Sequence, residues 1–304
     1  MVLITGAKGF LGKNVSLYFH EQGHKVIGLG HGNWKKNEYL NWGLSYWKNC
    51  SITLSNLRSY GGSPDIIVHC AGSGSVNDSF ENPMESFNNS VGSLMAVLEF
   101  IRFSSTKIVL IYPSSAAVYG ITSKKSIYES DQLNPYSTYG TYKLIGEELC
   151  KSYVKNFGFS IIIIRFFSIY GPSLKKQLLW DACNKLMKRN FTFHGSGLEI
   201  RDWLHIKDAC DLIFKAAQKP CSGLLVVNGS TNKGTNVFSI IKKIFFIFQV
   251  EEQPFFTTLI REGDPPYLVG DNEYANEMFK WKPVYDLDKG LLDYCLWFKS
   301  LKND

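Results

Sequence analysis

Long apolar runs are missing from this sequence. The most apolar stretches, Ser160 to Phe167 and the segment from Phe238 to Val250, fall short of the roughly 18 to 20 residues that span a bilayer, and Lys242 and Lys243 interrupt the second. No membrane partner is expected. Paired cysteines are missing too: the seven, at 50, 70, 150, 183, 210, 221 and 295, form no C-x-x-C, and no histidines join them at metal-ligand spacing. They are expected to be reduced core thiols, with no bound metal. A block of like charge is also absent. The formal net charge is +6 in 304 residues and the lysines are scattered. Nucleic acid is therefore not an expected partner, while a small anionic substrate is compatible. There is no internal repeat or low-complexity segment. The opening MVLITG reads as a buried strand with no basic flank or cleavage site, so no signal peptide is expected and a cytoplasmic location is.

What is present is an alternation of short β-branched runs with longer helical patterns. Strands are expected at Val2 to Thr5, Lys25 to Leu29, Ile66 to Cys70, Lys107 to Tyr112 and Ser160 to Phe167; helices at Leu11 to Gln22, Glu85 to Arg102 and Thr138 to Phe157. This is the pattern of an α/β, doubly wound parallel sheet of Rossmann type. After Ile169 the alternation fails, then returns briefly as IKDACDLIFKAAQK followed by GLLVVNGS. The expected division is a dinucleotide-binding domain over 1–167 and 205–229, with a smaller, discontinuous α/β domain over 168–204 and 230–304. Asp208 reads as the cap of the helix that follows it.

LITGAKGFLGKN places Gly6, Gly9 and Gly12 between a strand and a helix. Glycines there allow a tight turn, close backbone approach to a pyrophosphate and close helix packing, and the helix start supplies free N–H groups. Further on, Ser114 and Ser115 end a strand, and YSTYGTYK puts Tyr139 and Lys143 one turn apart on the same helix face. A protonated lysine beside a phenol favours the phenolate, which suits a tyrosine acting as general acid or base. At the end of the second strand, where an acid would bind the ribose 2′-OH of NAD and repel a 2′-phosphate, stands Gly30, followed by His31, Lys35 and Lys36. That tilts the cofactor toward NADP(H), with NAD(H) possible.

These residues resemble the extended short-chain dehydrogenase/reductases, in the branch of nucleotide-sugar 4-epimerases, 4,6-dehydratases and 4-ketoreductases. TGAKGFLG, VHCAGSGS, SSAAVYG, YGTYK, RFFSIYGP, GSGLEIRDWLHIKDA, REGDPP and WKP occur in the family's order across nearly the whole chain. The resemblance implies a catalytic set of Ser115, Tyr139 and Lys143, buttressed by Asn89. It implies cofactor contacts from the glycine turn with Phe10 and Leu11, from Gly30, His31 and Lys35, from Ala71, and from Tyr139 and Lys143. A nucleotide diphosphate sugar is the implied substrate, held in the second domain. Arg201 and Arg261 match the family's pyrophosphate-clamping arginines, and a guanidinium suits phosphate. Asp264 matches a ribose ligand, Ser114 lies beside the catalytic serine, and Gln177 and Trp180 lie where relatives grip base and sugar. Ser168 departs from the family, replacing an asparagine and lacking its amide. A homodimer through the two helices at 85–102 and 138–157 is also implied.

Dehydratases of this family carry an Asp-Glu pair after the serine, whereas here Ala116 and Ala117 follow Ser115, so dehydration is not expected. The acid-free second strand then favours an NADPH-dependent reductase of a nucleotide-linked 4-keto-6-deoxy sugar, serving surface polysaccharide synthesis. The alternative is an NAD-dependent nucleotide-sugar 4-epimerase. A non-catalytic NADP-binding sensor is the remote reading; it predicts a damaged catalytic set, and all three residues are present. Trp34, Trp42 and Trp47 are expected to pack locally.

Overall fold

The β-branched runs become strands buried on both faces, as a parallel sheet covered by helices requires. The computed structural model describes all residues except 73, 75, 123, 220–221, 259–264 and 304, and leaves out the side chains of 77 and 303. The chain runs β1 (Val2–Thr5), α1 (Phe10–Glu21), β2 (Val26–Gly30), α2 (Lys36–Asn41), β3 (Leu44–Asn49), α3 (Leu54–Tyr60), β4 (Ile66–His69), α4 (Val76–Glu81), α5 (Pro83–Phe87), a π turn (Asn88–Gly92), α6 (Ser93–Arg102), β5 (Val109–Ser115), a 3-10 turn (Ala116–Val118), α7 (Thr138–Phe157) and β6 (Ser160–Phe166). It continues through β7 (Ser168–Tyr170), α8 (Gln177–Met187), β8 (Thr192–Phe193), β9 (Ile200–His205), α9 (Ile206–Gln218), β10 (Gly223–Gly229), β11 (Gly234–Asn236), α10 (Val237–Ile247), β12 (Phe255–Phe256), β13 (Tyr267–Leu268), α11 (Glu273–Phe279) and α12 (Leu287–Asn303).

Seven parallel strands form one sheet in the order β10-β6-β5-β4-β1-β2-β3. Successive side chains of a strand point to opposite faces. Ile4 accordingly joins a core with Val15 and Phe19 of α1 and Leu212 and Ile213 of α9, whereas Leu3 joins one with Leu57 of α3, Leu98 of α6 and Cys150 of α7. The strand order reverses at β1, so the segments leaving β1 and β4 part there and open a crevice at the carboxyl edge, where such sheets bind ligands.

Three departures from the sequence pattern have local causes. The expected helix over 85–102 is α5 and α6 joined by the π turn, whose Asn89 carbonyl accepts the Ser93 hydroxyl at 2.6 Å. β3 escaped the pattern because it is an edge strand, with Ser45 and Tyr46 exposed and only Leu44 and Trp47 buried. Trp34 packs edge-on against Trp47, with ring centroids 5.5 Å apart, and Lys13 lies over Trp42. Asp208 is not the helix cap: His205 caps α9, and the Asp208 carboxylate accepts the backbone N–H groups of Val284 and Tyr285 at 3.0 and 2.9 Å.

The second half of the chain adds a mixed sheet, β11-β9-β13 with β7 beside β9, and the short pair β8 and β12. Helices α8, α10 and α12 close over a separate apolar core that includes Leu179, Cys183, Ile240, Ile244, Tyr294 and Phe298. Ala275 and Phe279 of α11, with Trp281, instead complete the core of the large sheet. Among the described residues, no helix is long and apolar enough to cross a membrane.

Candidate active site

The glycine turn lies at the sheet's crevice and is crowded by backbone. Gly6 has φ +65°, and a Cβ there would sit 2.6 Å from the Ala71 nitrogen; a Cβ on Gly12 would sit 2.3 Å from the Gly6 oxygen. The Gly6 side of the crowding comes from the end of β4, so the loops after β1 and β4 touch. The Ala71 N–H donates to Thr5 Oγ1 at 3.3 Å. Gly9 begins α1 with no side-chain cap, which leaves the helix start, with Phe10 and Leu11 in its first turn, facing the crevice mouth with its N–H dipoles. An uncapped helix start behind a cradle with no room for Cβ atoms fits the diphosphate of a dinucleotide.

The hydroxyls converge at the end of β5. Ser137 caps α7 by accepting the Gly140 N–H at 3.1 Å, and Gly158, at φ +69°, closes its far end. This places Tyr139, half-buried, with its phenol beside the Ser115 hydroxyl. Ser115 Oγ also accepts the Ala117 N–H at 3.2 Å, which fixes its rotamer. Lys143, one turn on, is buried; its Nζ donates to the Pro113 carbonyl at 2.8 Å and lies 6.0 Å from the Tyr139 ring centroid. Burial pushes the Lys143 ammonium down to about 8, with Cys70 and Glu147 acting the other way. Burial likewise pushes the Tyr139 phenol up, and the neighbouring Ser115 hydroxyl opposes that only in part. The phenol is thus raised by burial, not lowered as the spacing to Lys143 led one to expect.

Asn89 lies half-buried in the π turn, with its amide toward Glu85 Oε1 at 3.5 Å. The turn is anchored to the cradle through a buried relay: Ser93 Oγ meets His69 Nε2 at 3.3 Å, and His69 Nδ1 meets Thr5 Oγ1 at 2.8 Å. Burial, and then the charge on Lys143, push this histidine down to about 3, so it serves as a neutral hydrogen-bonding link. Wide π turns of this kind recur at functional sites.

At the end of β2, a Cβ on Gly30 would sit 3.2 Å from Gly6 Cα and 3.3 Å from the Trp47 ring, so an acid side chain would have to enter a crowded position. His31 is exposed, and Lys35 is exposed at the start of α2 with its N–H bonded to Glu38. The cation that reaches this corner is one the spacing did not single out. Lys8 Nζ donates to the Asn33 carbonyl at 2.5 Å, beside Gly32, whose N–H donates to Asn49 Oδ1 at 3.0 Å. Its place in the glycine turn was legible, but its reach to the loop after β2 was not.

The substrate candidates divide. Ser114 is turned away from the crevice: it is buried, and its hydroxyl donates to Glu147 Oε1 at 2.6 Å, so the substrate contact expected of that hydroxyl is spent on the interior. Ser168 is half-buried in β7, beside Trp203 of β9. Gln177 is exposed at the first position of α8. Trp180, half-buried, packs against Trp297 and Phe298 in the second core. Arg201 lies half-buried in β9 with one guanidinium nitrogen donating to the Ile200 carbonyl at 2.8 Å. The Asp202 and Asp208 carboxylates beside it in sequence accept backbone N–H groups of 231–232 and 284–285. Arg261 and Asp264 lie outside the described residues.

Residues 2–228 match the model of the NAD dependent epimerase/dehydratase family. The chain belongs to that family. Its membership spans the cradle, the Ser115, Tyr139 and Lys143 cluster and the last strand of the large sheet. A UDP-glucose 4-epimerase from rice, Oryza sativa subsp. japonica, is 28% identical over 331 residues, which cover 97% of this chain and 89% of that one. A UDP-glucuronate 4-epimerase from Arabidopsis thaliana is 24% identical, covering 98% of this chain and 75% of its own. Among solved structures, MoeE5 in complex with UDP-glucuronic acid and NAD superposes with a TM-score of 0.89 at 21% identity, and a Thermotoga maritima UDP-glucose 4-epimerase with UDP-glucose does so with 0.89 at 23%; each alignment covers 99% of both chains. At these identities the superpositions establish a shared fold.

Proposed function

We propose that the chain is a UDP-sugar 4-epimerase that uses a tightly held nicotinamide dinucleotide. The observation that carries the reading is the convergence of the Ser115 hydroxyl and the Tyr139 phenol at the end of β5, with Lys143 one turn along α7. Ser115 would bind the C4 oxygen of the sugar, and Tyr139 would take the C4 hydroxyl proton and later return it. Lys143 would hold the nicotinamide ribose and disfavour a proton on the phenol. The bound dinucleotide supplies the hydride acceptor and, when oxidised, a positive charge. The names of the relatives favour UDP as the nucleotide and epimerisation as the reaction, in preference to the reduction suggested by the acid-free end of β2.

One local feature supports a second reading. Gly30 in place of an acid removes a carboxylate that would repel a 2′-phosphate, and Lys8 beside Asn33 offers a positive charge, the condition under which an NADPH-dependent 4-ketoreductase would work. One experiment separates them. The purified protein is denatured to identify any released dinucleotide, and the native protein is given UDP-glucose, UDP-galactose and UDP-glucuronate without added reductant. Released NAD and C4 interconversion support the epimerase. No interconversion, with NADPH consumed against a nucleotide 4-keto sugar, would replace it with the reductase. In either case Tyr139→Phe is expected to lower turnover by at least roughly a hundredfold.

We also assign the chain a homodimeric state through α6 and α7, where Met95 and Phe157 leave apolar surface exposed. Its cytoplasmic location and its role in surface polysaccharide synthesis are part of the same reading, and fractionation of the native host checks the first.

A further inference from the structure

A buried polar network lies directly behind the hydroxyl pair. Arg165 of β6 and Glu147 of α7 are almost wholly shielded from solvent, 3% and 0% exposed, and pair at 2.7 Å. The guanidinium donates to both Glu147 oxygens through Nε and Nη2, to the Tyr119 hydroxyl at 3.0 Å and to the Glu129 carbonyl at 3.0 Å. Tyr119 donates in turn to Asn228 Oδ1 of β10 at 2.7 Å. Glu147 Oε1 takes the Ser114 hydroxyl at 2.6 Å. The network therefore joins β5, β6, β10 and α7 at one edge.

Burying such a pair is a poor way to gain stability, because the desolvation cost rivals the attraction and apolar residues of similar volume often serve as well. What an ion pair with fixed bonds provides is direction. Tyr139, Lys143 and Glu147 are spaced by four residues and share one face of α7. Ser114 precedes Ser115 on β5. The Ser114–Glu147 bond thus links the strand that carries one hydroxyl to the helix that carries the other. The charge on Glu147 also favours the protonated form of Lys143.

We infer that Glu147, oriented by Arg165, is a positioning residue: through Ser114 it fixes the end of β5 against α7 and so sets the Ser115 hydroxyl against Tyr139 and Lys143. The inference rests on the proposed epimerase reading for its activity readout and on geometry alone for the other.

The test compares Glu147→Gln with Ser114→Ala, which deletes the link but keeps the ion pair and so survives if Glu147→Gln fails to fold. Each is measured for UDP-sugar turnover and for backbone hydrogen exchange. Both variants are expected to lower kcat on the order of tenfold with KM little changed, short of the hundredfold that a 1 Å misplacement can cost. Exchange at 114–119 and 138–147 should quicken while that of β1 and α1 does not. In a Ser115→Ala background, where the hydroxyl being positioned is gone, the penalty of Ser114→Ala should shrink to less than about threefold, the non-additivity of groups acting as a unit. Unchanged kcat in Ser114→Ala, or an undiminished penalty in the Ser115→Ala background, overturns the assignment. If the wild type turns over none of these sugars, the epimerase reading fails, and unchanged local exchange in Ser114→Ala would then overturn the positioning role by itself.

Discussion

Lys143 answers two opposed demands. The proposed chemistry asks it to be charged beside Tyr139, while burial resists that charge and brings it down to about 8, with Cys70 and Glu147 acting the other way. Because the folded value lies below the ordinary 10.5, the unfolded chain binds more protons between about 8 and 10.5, and stability should rise with pH across that window. Activity should move the other way: kcat/KM, which reports the free protein, should fall as pH rises through about 8 rather than near 10.5. A flat profile up to pH 10 would show that Lys143 keeps its proton. Lys8 supports a separate expectation. If it faces a 2′-phosphate, Lys8→Ala should weaken NADPH binding about tenfold and leave NADH binding unchanged, on the scale of one charge-assisted hydrogen bond. Equal titrations for wild type and variant would remove Lys8 from the cofactor site. The juxtaposition of Tyr139 and Lys143 was legible in the sequence because a four-residue spacing fixes a helix face whatever the tertiary context. Lys8 and Ser114 were not, because whether a side chain on a turn or a strand end faces the crevice or the interior depends on its partner: Asn33 in one case, Glu147 in the other.

Helix α7 brings the chemistry close to the sheet, and two glycines make that approach possible. A Cβ on Gly140 would sit 2.6 Å from the Ala117 oxygen, and one on Gly146 would sit 2.4 Å from the Tyr112 hydroxyl. Gly146→Ala should therefore push α7 off β5, lowering stability by about 1–3 kcal/mol, the usual cost of overpacking. Chemical denaturation checks this, and a midpoint equal to that of the wild type would mean that Tyr112 simply moves aside. The ends of α7 fall where the sequence places them because Ser137 and Gly158 are local signals. The π turn before α6 carries no such signal. It depends on Ser93 bonding to Asn89 and meeting His69, a residue 24 positions away in sequence. β3 was silent for another reason: half of an edge strand faces water, so no continuous apolar run marks it.

At the scale of the whole molecule, the parallel sheet was legible from buried β-branched runs, whereas the second layer was not, since its strands are two to six residues long and its core is built from helices distant in sequence. Met95 of α6 touches the Tyr153 hydroxyl of α7, and the two helices present their remaining apolar surface together. If they form a dimer, the native mass should be twice that of the chain, and Met95→Asp should halve it. Sedimentation decides between these, and a monomeric wild type would remove the interface. The central claim is that one C4 hydrogen leaves the sugar and returns to its other face while Tyr139 handles the proton. The most direct test is to supply UDP-glucose carrying deuterium at C4, with no added reductant, and to examine the products by NMR. The account expects UDP-galactose with the deuterium still at C4, and none formed by Tyr139→Phe. Loss of the label to solvent, or no galacto product from a protein that oxidises NADPH against a 4-keto sugar, would contradict it.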